Sequence, residues 1–165
     1  MVWPVRPPRR TPDLTLTVTN NTISGTNGNG ILLVGRGTST TATSGIARLK
    51  VADNNVSAPN DVGSFATDGI SILAGNGNSV NDQVYLNIFG NTSAGQNGAL
   101  GIALAKQGTN PAANVFGIFD SDTGLPNNPT NTDVVNFVNS LNPNGGGAEI
   151  ISGSGFVRDT TQAPH

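Results

Sequence analysis

The stretch L-T-V-T-N-N-T-I-S, residues 16–24, decides the fold. Leu16 and Val18 alternate with threonines, the period-2 pattern of a strand with one buried face. Asn20 and Asn21 then interrupt, and Ile23 returns one apolar residue to the inside. A strand, a sharp corner and a second short strand fit this order.

The stretch recurs. L-K-V-A-D-N-N-V-S (49–57) and L-N-I-F-G-N-T-S-A (86–94) match it, and F-G-I-F-D-S-D-T-G (116–124) matches more faintly. The first column reads Leu16, Leu49, Leu86, Phe116; the third reads Val18, Val51, Ile88, Ile118. The fifth holds Asn20, Asp53, Gly90 and Asp120, the residues that best tolerate positive φ, so a fixed backbone bend is expected there. The sixth holds Asn21, Asn54 and Asn91, then Ser121. Amides stacked in such a column can hydrogen-bond to one another, so Asn21, Asn54 and Asn91 are expected to form a ladder. On that expectation, replacing Asn54 with leucine destabilises more than replacing Asn76. Ser93 stands where Ile23 and Val56 stood, and a slipped register or bulge is expected there.

A second motif falls between these units: G-I-L-L-V-G (30–35), G-I-S-I-L-A (69–74) and G-I-A-L-A-K (101–106). Glycine leads each copy, and Ile31/Ile70/Ile102 and Leu33/Ile72/Leu104 form apolar columns. Such units cannot bury a face alone; stacked, like columns form one interior. The expectation is an all-β parallel β-helix of three to four turns over residues 14–120. Residues 1–13 form a disordered lead-in and residues 121–165 a C-terminal turn.

The alternation L-x-V-x-N-N-x-I-S followed by G-I-x-L resembles the right-handed parallel β-helix repeat of the pectin-lyase-like superfamily. It is most similar to repeat regions of bacterial surface and autotransporter-type proteins, which are also rich in Asn, Gly and Thr. The resemblance implies fold more than activity, because that superfamily includes lyases, hydrolases, tailspikes and adhesin stalks.

Composition agrees with many short strands and turns. The 165 residues hold 22 Gly and 22 Asn, hydrophobics are 35% and charged residues only 11%. A net charge of −2 speaks against nucleic acid, whose binders cluster Lys and Arg. Arg6, Arg9 and Arg10 sit among prolines at the start, without the apolar core of a signal peptide. The absence of cysteine removes disulfide and thiolate chemistry. No apolar run approaches the roughly 20 residues of a membrane span.

Near the C-terminus the periodicity changes. Val134, Phe137, Val138 and Leu141 share one face of a helix expected over 132–141, started by Thr132 or Asp133 and ended by Asn142-Pro143. It reads as an excursion from the last turn or a lid on its end. A-E-I-I-S-G-S-G-F-V (148–157) reads as a closing strand.

Candidates for chemistry are few. Asp53, Asp120 and Asp122 are the carboxylates that could converge as a glycosidase pair. Two turns of stacking would part Asp53 and Asp120 by roughly 9–10 Å, the upper edge for an inverting mechanism. F-D-S-D-T-G (119–124) resembles the start of a calcium loop, with Asp120 and Asp122 as ligands, but its twelfth position is Asn131 rather than Glu. A lyase base would come from Arg48, Lys50 or Lys106. The only histidine is His165, so a serine triad has no base in the repeats. Thr15, Thr17 and Thr19 make an ice-binding-like row, but the next unit offers Arg48, Lys50 and Ala52. The resulting expectation is a structural or adhesive segment of an extracellular or cell-surface bacterial protein. No resident cofactor is expected, with calcium as the one candidate. Its partners would be neighbouring turns of a parent chain, carbohydrate or a host surface, and it would self-associate through open strand edges. Loops 36–45, 58–68 and 107–114 would carry any specificity. The alternative is a fragment of a pectin-lyase-like polysaccharide hydrolase or lyase.

Overall fold

In a computed structural model, described over residues 13–35, 45–60, 67–75, 82–107, 114–121 and 124–160, the chain winds into successive coils. The lead-in up to residue 12, Asp122 and His165, Asn76, and most of the three candidate loops lie outside these residues. Coil one holds β1 (Asp13–Thr19), β2 (Thr22–Ile23) and β3 (Ile31–Gly35). Coil two holds β4 (Ile46–Ala52), β5 (Asn55–Val56) and β6 (Ile70–Ala74). Coil three holds β7 (Gln83–Phe89), β8 (Thr92–Ser93) and β9 (Ile102–Lys106). Coil four begins with β10 (Val115–Phe119), passes through helix α1 (Asn131–Leu141) and ends with β11 (Ala148–Ser152). A last strand, β12 (Val157–Asp159), starts a fifth turn.

Like strands stack in parallel into three sheets, ordered β1-β4-β7-β10-β12, β2-β5-β8 and β11-β9-β6-β3. The sheets do not close on one another. Register follows the sequence columns through three coils: Leu16 pairs with Leu49 and Leu49 with Leu86, while Ile31 pairs with Ile70 and Ile70 with Ile102. Inward columns become the core. Val51, Ile70, Ile72, Leu86, Ile88, Ile102 and Leu104 are essentially inaccessible. Burying each such side chain is worth about 1.5–3 kcal/mol relative to leaving it exposed.

The leading glycines of the second motif have a steric reason. A Cβ on Gly30 would lie 2.3 Å from Val56 Cγ1, and one on Gly69 would lie 2.1 Å from Ser93 Oγ. Each glycine sits under the inward side chain of the next coil. Ser93 does not slip as the sequence suggested. It pairs in register with Val56, and its hydroxyl donates to the Gly101 carbonyl at 2.8 Å, which satisfies it inside.

The fourth coil departs from the sequence alignment. Phe116 pairs with Val84 and Ile118 with Leu86, two residues away from the expected columns. The shift leaves both side chains pointing inward, and Phe116 packs on Phe156 with ring centroids 5.1 Å apart. The stretch 148–157 is likewise not one strand: it breaks at Gly153–Phe156, and β11 and β12 join different sheets.

Helix α1 takes the place of a fourth short strand. It begins one residue before the expected start. Its cap is Thr130, not Thr132 or Asp133. Thr130 Oγ1 accepts from the Asp133 amide, and the Asp133 carboxylate accepts from the Thr130 amide. Val134 and Val138 enter the core, with Phe137 packed partly against it. The helix is therefore an excursion within the last full coil.

Candidate functional site

Asn21, Asn54 and Asn91 lie above one another at the corner between the first and second sheets. Asn54 Oδ1 accepts from the Asn21 amide at 3.1 Å and from Asn21 Nδ2 at 3.0 Å. Asn91 Oδ1 accepts from the Asn54 amide at 3.1 Å and Asn54 Nδ2 at 2.9 Å. Each Nδ2 also reaches back one coil: Asn54 donates to the Val18 carbonyl and Asn91 to that of Val51, both at 2.9 Å. The fourth rung is not Ser121 but Asn142, the C-cap of α1. Its Oδ1 accepts from the Asn91 amide at 3.0 Å and Asn91 Nδ2 at 2.9 Å. Its own Nδ2 donates to Val138 and Ile88 carbonyls. Asn54, Asn91 and Asn142 are buried, so each depends on these bonds.

The corner beside the ladder is built by backbone conformation. Asn20, Asp53 and Gly90 have φ of 57°, 56° and 66°. Asp120 does not belong with them: it lacks a left-handed φ and follows directly on β10, which lies in the shifted register. Its carboxylate is buried, paired with Arg158 Nε at 3.1 Å, and accepts from the Leu125 amide at 2.7 Å. Asp120 thus ties β10 to β12 and the loop before α1. Asp53 stands exposed at the corner, with Oδ1 against Gly90. Among the described residues no three His, Cys, Asp or Glu side chains gather as a metal site.

The basic candidates are dispersed. Arg48 pairs with Asp13 and Lys50 lies over the Phe89 ring, 5.9 Å from its centroid, both on the outer face of the first sheet. Lys106 stands on β9 in the other long sheet, at a register position shared with Ala74. It is almost wholly buried, and Nζ donates to the Gly155 carbonyl at 3.0 Å. Burial lowers its pKa.

Two features escape sequence reasoning. One is a groove of about 340 Å³ under α1, lined by Asn87, Phe89, Phe119, Asp120, Ser121, Gly124, Phe137 and Leu141. Its walls are aromatic, and its one carboxylate is already paired with Arg158. The other is a carboxyl pair. Asp68, before β6, is buried and hydrogen-bonded to Glu149 of β11. Burial first, then the Glu149 charge, pushes the Asp68 pKa up to about 6. Glu149 Oε1 also accepts from the Leu100 amide at 3.3 Å. Neither carboxyl lines the groove. No sequence signal marks this pair, which joins coils two and four.

No protein-family model, curated protein or solved structure matches the chain. Among the described residues no helix is long and apolar enough to cross a membrane.

Proposed function

We propose that this chain is a structural scaffold: a segment of an extracellular, cell-surface β-helix protein of the pectin-lyase-like kind that extends a stalk and displays loops for adhesion. The observation that carries this reading is where its polar side chains are used. The buried asparagines are consumed in joining one coil to the next. Asp120, the most enclosed carboxylate of the catalytic candidates, is occupied by Arg158 and Leu125. Chemistry on a glycosidic bond needs two carboxyl groups facing one substrate, and Asp53 stays exposed at a separate corner. Neighbouring coils of a parent chain, carbohydrate or a host surface are the partners of such a scaffold, and open strand edges favour self-association. Calcium enters this reading only through Asp120 and Asp122, and the ion pair to Arg158 leaves Asp120 a poor ligand.

The test is a screen of pectins and other acidic and neutral polysaccharides for depolymerisation, beside a glycan array. Binding without release of reducing ends or unsaturated products is expected. Release of either product overturns the reading and favours a polysaccharide hydrolase or lyase, and Asp68 and Glu149 are then the first residues to substitute.

A further inference from the structure

The ladder has a direction. In each step the asparagine of one coil donates its backbone N–H and its Nδ2 to the Oδ1 of the next. The Oδ1 atoms of Asn54, Asn91 and Asn142 therefore each accept two bonds. Asn21 is the exception: its amide and Nδ2 are engaged, but its Oδ1 accepts from no described residue. At the other end the pattern is closed. Asn142 spends its N–H and Nδ2 on Val138, Asn139 and Ile88 carbonyls, and α1 fills the place of another short strand.

β1, β2 and β3 are the outermost members of their sheets at this end, as β12, β8 and β11 are at the other. Leu16, Val18, Ile23 and Leu33 are only partly buried, whereas Leu49, Val51 and Val56 one coil further on are 2%, 0% and 1% exposed. Among the described residues, the N-terminal end thus presents a half-buried core, unpaired strand edges and one acceptor, Asn21 Oδ1, that takes no hydrogen bond.

We infer that this end is an acceptor face for one further parallel β-coil, whose own asparagine supplies the two donors that Asn21 Oδ1 lacks. This partner extends the scaffold reading above and rests on it. Its pattern is aliphatic-x-aliphatic-x-(Asn/Asp/Gly)-Asn-x-aliphatic, running parallel to β1. A second copy of this chain can meet the open edges but cannot supply those two donors. Its C-terminal end has spent the donors of Asn142 and is blocked by α1, and its N-terminal end would set one Asn21 acceptor against another. Residues 1–12 contain no asparagine, and Pro4, Pro7, Pro8 and Pro12 remove backbone donors.

The test grafts a coil in cis. A copy of residues 46–82 is inserted before Asp13 in the full chain, where its first residue falls in register with Asp13 as Ile46 does with Gln83. A second graft uses residues 83–114. Amide hydrogen exchange of Thr15, Thr17, Thr19 and Thr22, whose N–H groups alternate with those bonded to coil two and face the open edge, is then measured. Exchange slower by at least about tenfold in either graft is expected, as is loss of most of that protection when the grafted copy carries Asn54→Leu. Unchanged exchange in both grafts overturns the inference, whether or not the added segments fold. So does full protection by the Asn54→Leu copy, because the strands alone would then suffice. Neither result bears on the depolymerisation screen, so failure here leaves the scaffold reading standing.

Discussion

Replacing Asn54 with leucine removes a middle rung of the ladder while nearly conserving side-chain volume. The lost groups can be followed one by one. Asn54 Oδ1 accepts twice from Asn21, whose exposed position lets water take over. Asn54 Nδ2 serves Asn91 Oδ1 and the Val18 carbonyl. After substitution Asn91 Oδ1 keeps the backbone N–H of residue 54, and the Val18 carbonyl keeps the strand bond of the Thr19–Ala52 pairing, so the loss is that of the two Nδ2 bonds in a buried site. Each is worth about 1–1.5 kcal/mol. Burial of the leucine methyls offsets part of this, leaving a net loss of about 2 kcal/mol. For a chain of this size that lowers Tm by about 4–8 °C. The control is Asn55→Leu, at the neighbouring outward and exposed position, expected to change stability by less than about 0.5 kcal/mol. Asn91→Leu should cost more than Asn54→Leu, because it leaves the buried backbone N–H of Asn54 without an acceptor, although Asn54 Nδ2 keeps the Val18 carbonyl and the Phe89 carbonyl keeps the Asp53 amide. Urea denaturation followed by far-UV circular dichroism gives all three values. Equal, small losses at Asn54 and Asn55 would refute the ladder as a source of stability.

Three further outcomes follow from the same geometry. Asp68 has a folded-state pKa of about 6 against an ordinary 3.8, so its contribution to stability is present below about pH 4 and lost as pH rises through 6. Asp68→Asn should therefore gain on the order of 2 kcal/mol at pH 7.5 and nothing at pH 3.5, and a gain equal at both pH values would refute the assignment. Arg158→Met should destabilise by about 3–5 kcal/mol by leaving the Asp120 carboxylate buried without its cation, whereas the double change Arg158→Met with Asp120→Asn should recover much of the loss in chemical denaturation. Gly101→Ala places a Cβ 1.8 Å from the Gly145 carbonyl oxygen, a backbone atom that cannot rotate away, and thermal melting should show a loss of at least about 2 kcal/mol.

Three coils were legible in the sequence because several independent signals fell in the same columns. Period-2 aliphatics gave the strands, and Asn20, Asp53 and Gly90 gave the corner. The glycine that leads each copy of the second motif was visible as a column, but its reason, contact with the next coil, lies in the packing. The fourth coil is hidden for a definite reason. Local likeness sets F-G-I-F-D against the earlier units, and a slip of two residues leaves every side chain on the same face, so alternation cannot detect it. The alignment therefore put Asp120 in the corner and Ser121 on the ladder. The true rung, Asn142, stands 51 residues after Asn91 and at the end of a helix, where no strand pattern points. Ser93 was misjudged because a polar residue in an apolar column looks like a slip until its partner carbonyl is known. Asp68 and Glu149 were not recognised as a pair because their contact spans two coils and belongs to no repeat.

The column of glycines carries a consequence for how such a chain can diverge. Gly30 is fixed less by its own turn than by Val56 in the neighbouring coil: an added Cβ meets Val56 Cγ1 at 2.3 Å, then the Gly69 carbonyl at 3.1 Å. Gly30→Ala alone should be harmful, yet paired with Val56→Ala it should be largely tolerated, a strongly non-additive result for two residues far apart in sequence. Mutational tolerance in this protein is thus set between coils rather than within them. Drift in one repeat must wait for its neighbour, and repeats that began alike separate in coupled steps along the axis.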